Sequence, residues 1–165
     1  MDLHMKSNPA KGAYALVFFD KERGLAFKLF KTSAWDDTVS DDERKRTFGY
    51  EVEAYKIARD DETLRNYTPR FHGQVQVTKV IDTDGTDISG RFFLDHCYAL
   101  DLVQGPEDKI LQQYGRLPHV KHMVQEFHSR GIRYLEDASI FYATDPEKMK
   151  IIDIAVTNLE GTSII

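Results

Sequence analysis

Apolar side chains in the first fifth of the chain form two short runs separated by a polar turn. Residues 14–19 and 25–30 are rich in β-forming side chains, and the polar residues between them end in Gly24. This pattern predicts a β-hairpin. Lys28 is the one charged side chain in the second run, so the prediction places a cation within an apolar strand. Residues 1–10 show no such pattern and are expected to form a frayed lead-in.

A helical period begins after residue 40. Ser40 and Glu43 have the spacing of a capping box, so a helix is predicted over about residues 41–59. Apolar side chains recur along this helix at i, i+4 and i+7: Phe48, Val52 and Tyr55. Glu51 lies at the edge of that stripe, which predicts an acidic group turned toward the core.

Further strands are predicted before residue 106. Residues 74–80 alternate between polar and apolar, which is typical of a half-exposed strand. Residues 82–87 contain an Asp-Gly pair and predict a hairpin turn, and residues 91–103 contain more strand. The combined pattern predicts a small antiparallel sheet of about five strands, with one helix inserted after the third.

Helical patterns return after Pro106. Residues 107–114 predict a short helix, and Pro118 suits the first turn of another. The second helix is expected to stop at Gly131, and its apolar face comprises Val120, Met123, Val124 and Phe127. Residues 140–142 and 149–154 predict two short strands. The fold class is therefore predicted to be α+β.

Asp153 interrupts the last apolar run. Desolvating a carboxylate without a partner costs on the order of several kcal/mol. A metal ion, a cation or the end of a strand is therefore expected at Asp153.

The composition excludes several classes of protein. The 165 residues suffice for one domain or two small lobes, and a net charge of −5 argues against nucleic-acid binding. No apolar run approaches the ~20 residues of a membrane span, so no membrane association is expected. Cys97, the single cysteine, fits a reducing compartment. Without a signal-peptide pattern, the protein is predicted to be cytoplasmic, or delivered into a cytoplasm by a non-classical route.

Several segments resemble motifs of the protein-kinase superfamily and follow the order of that family. Gly12 begins a segment similar to the end of the glycine-rich loop, although Ala15 replaces a later glycine. Ala26-Phe27-Lys28 is similar to the A-x-K of the third strand, and Phe48-x-x-Glu51 resembles the inserted helix. Residues 100–105 look like the hinge.

The second half extends this resemblance. Residues 127–132 strongly resemble the end of the helix before the catalytic loop, and residues 151–155 look like the strand and DFG motif. The resemblance implies a kinase-like two-lobe fold in a single domain over residues 1–165. It implies a five-stranded antiparallel N-lobe with one helix over residues 11–104, with the hinge at its end, and a truncated helical C-lobe over residues 105–165.

The resemblance also implies a site for ATP and Mg²⁺. Lys28 would bind phosphate with Glu51 as its ion-pair partner, and Asp153 would hold the metal. The other cofactor-binding positions come from the glycine-rich loop and the hinge: Gly12, Asp101 and Val103.

The catalytic loop departs from the family pattern. The family uses an Asp as base and an Asn as metal ligand. One alignment of residues 132–140 places Tyr134 at the position of the Asp and Ser139 at that of the Asn, and the other alignment places Glu136 at the position of the Asp. Glu136 and Asp137 are the candidate replacement bases. About a dozen residues follow Asp153, so neither an activation segment nor the large C-lobe helices are expected.

Three functions remain open. The favoured one is a pseudokinase-like binding or regulatory protein that retains ATP. The alternative is a divergent minimal protein kinase that transfers the γ-phosphate to a protein hydroxyl, and the third is a kinase-like scaffold without nucleotide. A protein partner or protein substrate is expected in each case, and a truncated C-lobe predicts either a homodimer or a bound partner. Similarly shortened kinase-like proteins occur among secreted effectors of pathogens.

Overall fold

Strands and helices both contribute to the fold, and its class is α+β, as the sequence predicts. A computed structural model of the chain describes residues 1–6, 10–143 and 148–159. These residues divide into two units. The first contains Met1–Phe48 and His72–Leu102, and the second contains Gly49–Phe71 and the described residues from Val103 onward.

A five-stranded sheet forms the centre of the first unit. The strands up to residue 101 are β1 (Asp2–His4), β2 (Ala10–Lys11), β3 (Ala15–Asp20), β4 (Leu25–Lys31), β5 (Phe71–Gln74), β6 (Lys79–Ile81) and β7 (Phe92–Asp101). The order in the sheet is β2-β3-β4-β7-β5, and β3 and β7 both pair antiparallel with β4. The helix between β4 and β5 therefore follows the third of these five strands, as predicted.

The predicted hairpin is confirmed as β3 and β4. Its pairs run from Ala15 with Phe30 to Asp20 with Leu25. The turn contains Gly24 at φ +65°, a conformation that glycine adopts without steric cost. Asp20 accepts hydrogen bonds from the backbone and side chain of Arg23, which closes the turn.

The predicted helix is confirmed as α1 (Asp41–Asp60). Ser40 Oγ accepts a hydrogen bond of 3.1 Å from the Glu43 amide, which satisfies one free donor of the first turn. Phe48 is buried and its ring packs edge-on against Phe30 at a centroid distance of 5.3 Å. The apolar stripe therefore forms part of the core, as the spacing predicts.

Two expectations for the first unit are wrong. Residues 74–80 are not one strand, because β5 ends at Gln74 and β6 begins at Lys79. Between them the Val75 and Val77 amides bond carbonyls of β7 irregularly. The lead-in is not simply frayed either, since β1 pairs parallel with β6. The turn that follows is present, with Gly85 at φ +86°.

The second unit adds a smaller sheet and two helices. Its elements after residue 102 are β8 (Glu107–Lys109), α2 (Ile110–Gln113), α3 (Pro118–Ser129), β9 (Ser139–Phe141) and β10 (Lys150–Ile152). The sheet order is β10-β9-β8 with antiparallel pairs. Residues 107–114 are therefore not one helix, because the first three pair with β9.

The helix predicted from Pro118 is confirmed as α3. Pro118 occupies its first turn, and Gly131, at φ +87°, lies just past its end. All four residues of the predicted apolar face are buried: Val120, Met123, Val124 and Phe127. No helix among the described residues combines the length and apolarity that a bilayer crossing requires.

Cys97 lies in the core of the first unit and is fully buried. Desolvation raises the pKa of its thiol from 9.0 to about 12. At pH 8 the thiolate is then roughly a thousandfold scarcer than in an ordinary thiol. We expect iodoacetamide to leave Cys97 unmodified in the native protein and to alkylate it rapidly in urea, as measured by intact mass. Equal rates in both states would contradict this packing.

Candidate nucleotide site

Lys28 lies at the centre of the sheet of the first unit, opposite Val17 of β3 and Tyr98 of β7. Its neighbours Phe27 and Leu29 are buried in the apolar core. Because successive side chains of a strand point to opposite faces, Lys28 leaves the sheet on the other face. Its Nζ lies 5.7 Å from the ring centroid of Phe30 on that face, a cation–π distance.

Gly12 belongs to a closed turn between β2 and β3. Its amide donates a hydrogen bond of 3.0 Å to the Ala15 carbonyl, and its own carbonyl accepts one of 2.6 Å from Lys31 Nζ. The Lys31 amide also bonds the Tyr14 carbonyl. The Gly12 amide is therefore used within the turn and reaches a phosphate only if the turn opens. Sequence reasoning missed Lys31, although its place at the end of the apolar run of β4 was a visible signal.

The two positions that the resemblance assigns to a hinge, Asp101 and Val103, lie at the end of β7 and shortly after it. Asp101 Oδ1 is 2.6 Å from His72 Nε2 in the first unit. The next amide, of Leu102, donates a hydrogen bond of 2.8 Å to the Gly24 carbonyl. Val103 is half-buried and is the first residue of the second unit after β7. The backbone here is thus anchored up to residue 102.

Asp153 has an unusual backbone conformation in the second unit. At φ +62° it is the one non-glycine residue with positive φ in the described part of the chain. Its amide donates a hydrogen bond of 3.1 Å to Tyr55 Oη. Tyr55 is 1% exposed and stacks on Phe71 at a centroid distance of 5.7 Å. The conformation costs about 1 kcal/mol or more, and the anchor on α1 holds it in place.

The loop from which the sequence predicts a catalytic base is hydrogen-bonded to the segment after Asp153. Tyr134 and Ala155 exchange two backbone hydrogen bonds of 3.0 and 3.1 Å. Tyr134 Oη donates to Asp137 Oδ2 at 3.0 Å, and Lys109 Nζ donates to the Asp137 carbonyl. Asp137 is exposed, and its carboxylate already accepts the hydrogen bond from Tyr134. Glu136 is half-buried.

The candidate residues thus divide between the two units. Gly12, Lys28 and Asp101 belong to the first. The second contains the acids Glu51, Glu136, Asp137 and Asp153, together with Val103. Glu51 is only 6% exposed, which confirms that this acid is turned inward. The second unit brings the loop of Glu136 and Asp137 beside the segment of Asp153.

The carboxylates of this region suit Mg²⁺ only when the metal is already bound to a nucleotide. No group of three or more His, Cys, Asp or Glu side chains that could hold a metal occurs among residues 1–6, 10–143 and 148–159. Mg²⁺ is commonly bound by one or two carboxylates together with the phosphates of a nucleotide. Asp153 alone therefore fits a metal that arrives with nucleotide, and does not fit a metal held by protein ligands only.

Comparison of the chain with protein-family models, with curated proteins and with solved structures gives no match. The kinase-like assignment therefore depends on the residues of this chain alone.

Arg130, in the segment that resembles the kinase motif, links two elements of the second unit. Its Nε lies 2.8 Å from Asp61 Oδ2, and its Nη1 bonds the Glu126 carboxylate. Asp61 Oδ1 also accepts the amides of Thr63 and Leu64 at 2.9 Å. Burial opposes ionisation of Asp61, but these hydrogen bonds outweigh it and hold its pKa below 3.8.

Asp61→Asn is therefore expected to lower the free energy of unfolding by about 1 kcal/mol at pH 7. Because the folded pKa of Asp61 is depressed, its contribution is complete above pH 3.8 and is lost as the pH falls through the folded pKa. Urea unfolding between pH 7 and pH 3 measures this loss. Asp60→Asn, at a neighbouring exposed carboxylate, is the control. A difference that does not change with pH would contradict the ionic origin.

Proposed function

We propose that this chain is a kinase-like binding or regulatory protein that holds Mg²⁺–ATP and transfers phosphate poorly or not at all. The observation that carries the proposal is the backbone of Asp153, left-handed at the end of β10 and anchored on Tyr55. Strained non-glycine residues concentrate at functional sites, where the surrounding structure maintains them. A half-exposed carboxylate held this way suits a metal–phosphate ligand.

The order of elements supports the same family. A hairpin, one helix and two further strands of one sheet precede a connector, a helix, a loop and a second hairpin that ends at Asp153. This order agrees with the proposed kinase-like two-lobe fold. We assign phosphate binding to Lys28, support of that lysine to Glu51, and the adenine side of the site to Asp101 and Val103.

Lys28, Asp153 and Gly12 differ in how much they can contribute to nucleotide binding. Lys28 offers an ammonium group with three donors, which suits phosphate oxygens. Bound Mg²⁺ would neutralise phosphate charge, and Asp153 would be its ligand from the protein. The Gly12 amide, used inside its own turn, contributes little unless that turn opens. The site therefore favours nucleotide retention more strongly than it favours catalysis.

Weak or absent transfer follows from the loop at residues 132–138. A general base must be within hydrogen-bond reach of the hydroxyl proton that it removes. Asp137 already accepts the Tyr134 hydroxyl, and no Asp or Asn occupies the family's positions. The protein is then expected to act through a protein partner, or as a homodimer.

A divergent minimal protein kinase is the second candidate. The pairing of Tyr134 with Ala155 favours it, because this pairing brings the loop of Glu136 and Asp137 beside the segment of Asp153. In this mechanism Glu136 or Asp137 accepts the proton of a protein hydroxyl while the hydroxyl oxygen bonds the γ-phosphorus of ATP and ADP leaves. Release of Asp137 from Tyr134 is required before that carboxylate can act.

Nucleotide binding is tested by the thermal unfolding midpoint with and without millimolar Mg²⁺–ATP. We expect a rise of roughly 3 °C or more for the wild type. Lys28→Ala should reduce this rise, whereas Lys21→Ala, in the exposed β3–β4 turn, should retain it. If Mg²⁺–ATP does not raise the unfolding midpoint of the wild type, both nucleotide-dependent functions are overturned. The kinase-like scaffold without nucleotide is then the remaining proposal.

Transfer is tested separately with γ-labelled ATP and candidate protein acceptors, including the chain itself. We expect no transfer above the background of a heat-denatured sample. Label transfer that is lost in Glu136→Gln or Asp137→Asn, with Mg²⁺–ATP binding intact, would replace the pseudokinase proposal with the minimal kinase.

A further inference from the structure

Arg44 is the largest fully buried side chain of the first unit, with an exposed fraction of 0%. It lies on the second turn of α1. None of its three guanidinium nitrogens has a hydrogen-bond partner among the described residues. Buried polar groups in folded proteins are almost always hydrogen-bonded, and a buried charge without hydrogen bonds is costly. A group that satisfies Arg44 is therefore required.

The acids nearby do not fill this role. Asp41 Oδ1 lies 3.9 Å from Nη1, within ion-pair range but beyond hydrogen-bond distance. That carboxylate instead accepts the amide of Ser33 at 2.7 Å and lies half in solvent. Asp36 accepts the amide of Thr38 at 2.9 Å. Both carboxylates therefore accept hydrogen bonds from neighbouring residues of the chain, and neither is within hydrogen-bond distance of the guanidinium group.

A second buried cation strengthens the positive character of this region. Lys31, at the end of β4, is 4% exposed. Hydrogen bonds from Thr38 are the main cause of the lowered pKa of Asp36, and the charges of Lys31 and Arg44 both add to the lowering. Both charges therefore favour the ionised form of Asp36, which lies in the connection between β4 and α1, while Lys31 Nζ itself donates a hydrogen bond to the Gly12 carbonyl.

We propose that Arg44, with Lys31 as a second positive charge, forms a binding site for an oxyanion near the start of α1. A guanidinium presents parallel N–H donors that match two oxygens of one phosphate or carboxylate group. A desolvated charge attracts such a group more strongly than a surface arginine does. This site is independent of the nucleotide site assigned to Lys28 and Asp153.

Entry to the site requires local opening of the structure around Arg44, because its side chain is completely buried. The β4–α1 connection, by contrast, has exposed residues at Ser33, Ala34, Asp37 and Thr38. The hydrogen bonds from Ser33 to Asp41 fasten the connection to the start of α1. An oxyanion that binds Arg44 is expected to enter as these bonds open and to stabilise the folded first unit once bound.

The test uses the full chain and measures its thermal unfolding midpoint in phosphate, acetate and chloride at equal ionic strength. We expect phosphate or acetate to raise the midpoint by roughly 3 °C relative to chloride. Arg44→Met, which keeps an unbranched apolar side chain and removes the charge, should lose this rise. Arg46→Met is the matched control, since Arg46 is half-exposed on the same helix. Lys28→Ala should retain the rise, which separates this site from the nucleotide site.

The outcomes differ clearly. A rise with phosphate alone assigns phosphoryl groups as the ligand, and a rise with acetate alone assigns carboxylates such as an acidic side chain of a partner. No anion-specific rise in the wild type, together with a more stable Arg44→Met protein in all three salts, would overturn the proposal. That result would identify Arg44 as a buried charge that apolar packing improves. If Arg44→Met does not fold, phosphate titration of the wild type by calorimetry decides, and absence of heat rejects phosphate as the ligand.

Discussion

Replacing Asp153 with Asn is expected to weaken Mg²⁺-dependent ATP binding by about tenfold or more, with the fold unchanged. Asparagine tolerates the left-handed backbone that Asp153 adopts, so the substitution removes the negative charge without adding strain. The amide that donates to Tyr55 is also retained. Calorimetric titration with ATP, with and without Mg²⁺, measures the metal-dependent part of the affinity.

Two further variants make this result specific. Asp153→Ala removes the same carboxylate but places alanine at φ +62°, so it should lose both affinity and about 1 kcal/mol of stability. Asp60→Asn, at the exposed end of α1, should alter neither quantity. If Asp153→Asn binds Mg²⁺–ATP as tightly as the wild type does, Asp153 is not the metal ligand and its conformation is purely structural.

Truncating Leu135 to Ala is expected to lower the free energy of unfolding by about 3 kcal/mol, the typical cost of a cavity at a buried leucine. Leu135 is 0% exposed and lies within the loop at residues 132–138. The matched control is Leu117→Ala, because Leu117 belongs to the same unit but is 36% exposed. That control should cost less than about 1 kcal/mol.

Urea unfolding of both leucine variants distinguishes a packed loop from a loose one. A loop fixed by Leu135 keeps Glu136 and Asp137 in their present places, which agrees with poor phosphate transfer. Equal and small losses for the two variants would show that Leu135 contributes little to the core. The loop would then be free to rearrange, and the minimal kinase would become the better proposal.

The elements that sequence reasoning located correctly carry strong local signals. The β3–β4 hairpin follows from two β-rich runs around a turn that ends in Gly24, and α1 follows from the Ser40 cap. Pro118 and Gly131 mark the two ends of α3 in the same way. Each signal depends on a few neighbouring residues, so no knowledge of tertiary contacts is needed to interpret it.

The features that were missed depend on partners distant in the chain. β1 becomes a strand only because β6, more than 70 residues later, supplies its parallel partner. Residues 107–109 carry no apolar alternation, and β9 recruits them as a strand. The Asp153 anchor needs Tyr55, 98 positions earlier. Such pairings are set by tertiary packing, which overrides local propensity.

Arg44 is an intermediate case. It lies four residues before Phe48, which places it on the same face of α1 as the apolar stripe. Extending the stripe by one turn would therefore have predicted a buried guanidinium. The sequence pattern contained this signal, but a charged side chain near a helix start is usually exposed, and its burial is visible only in the folded chain.

The division into units has a consequence for synthesis of the protein. Residues 49–71 belong to the second unit, yet residues on both sides of them build the first. During translation, β4 emerges long before its partner β7, so its outer edge stays unpaired until residue 101 leaves the ribosome. Residues 49–71 likewise cannot complete the second unit until the chain after residue 102 has been synthesised. No single cut of the chain therefore separates the two units, because each is built from two segments that alternate along the sequence.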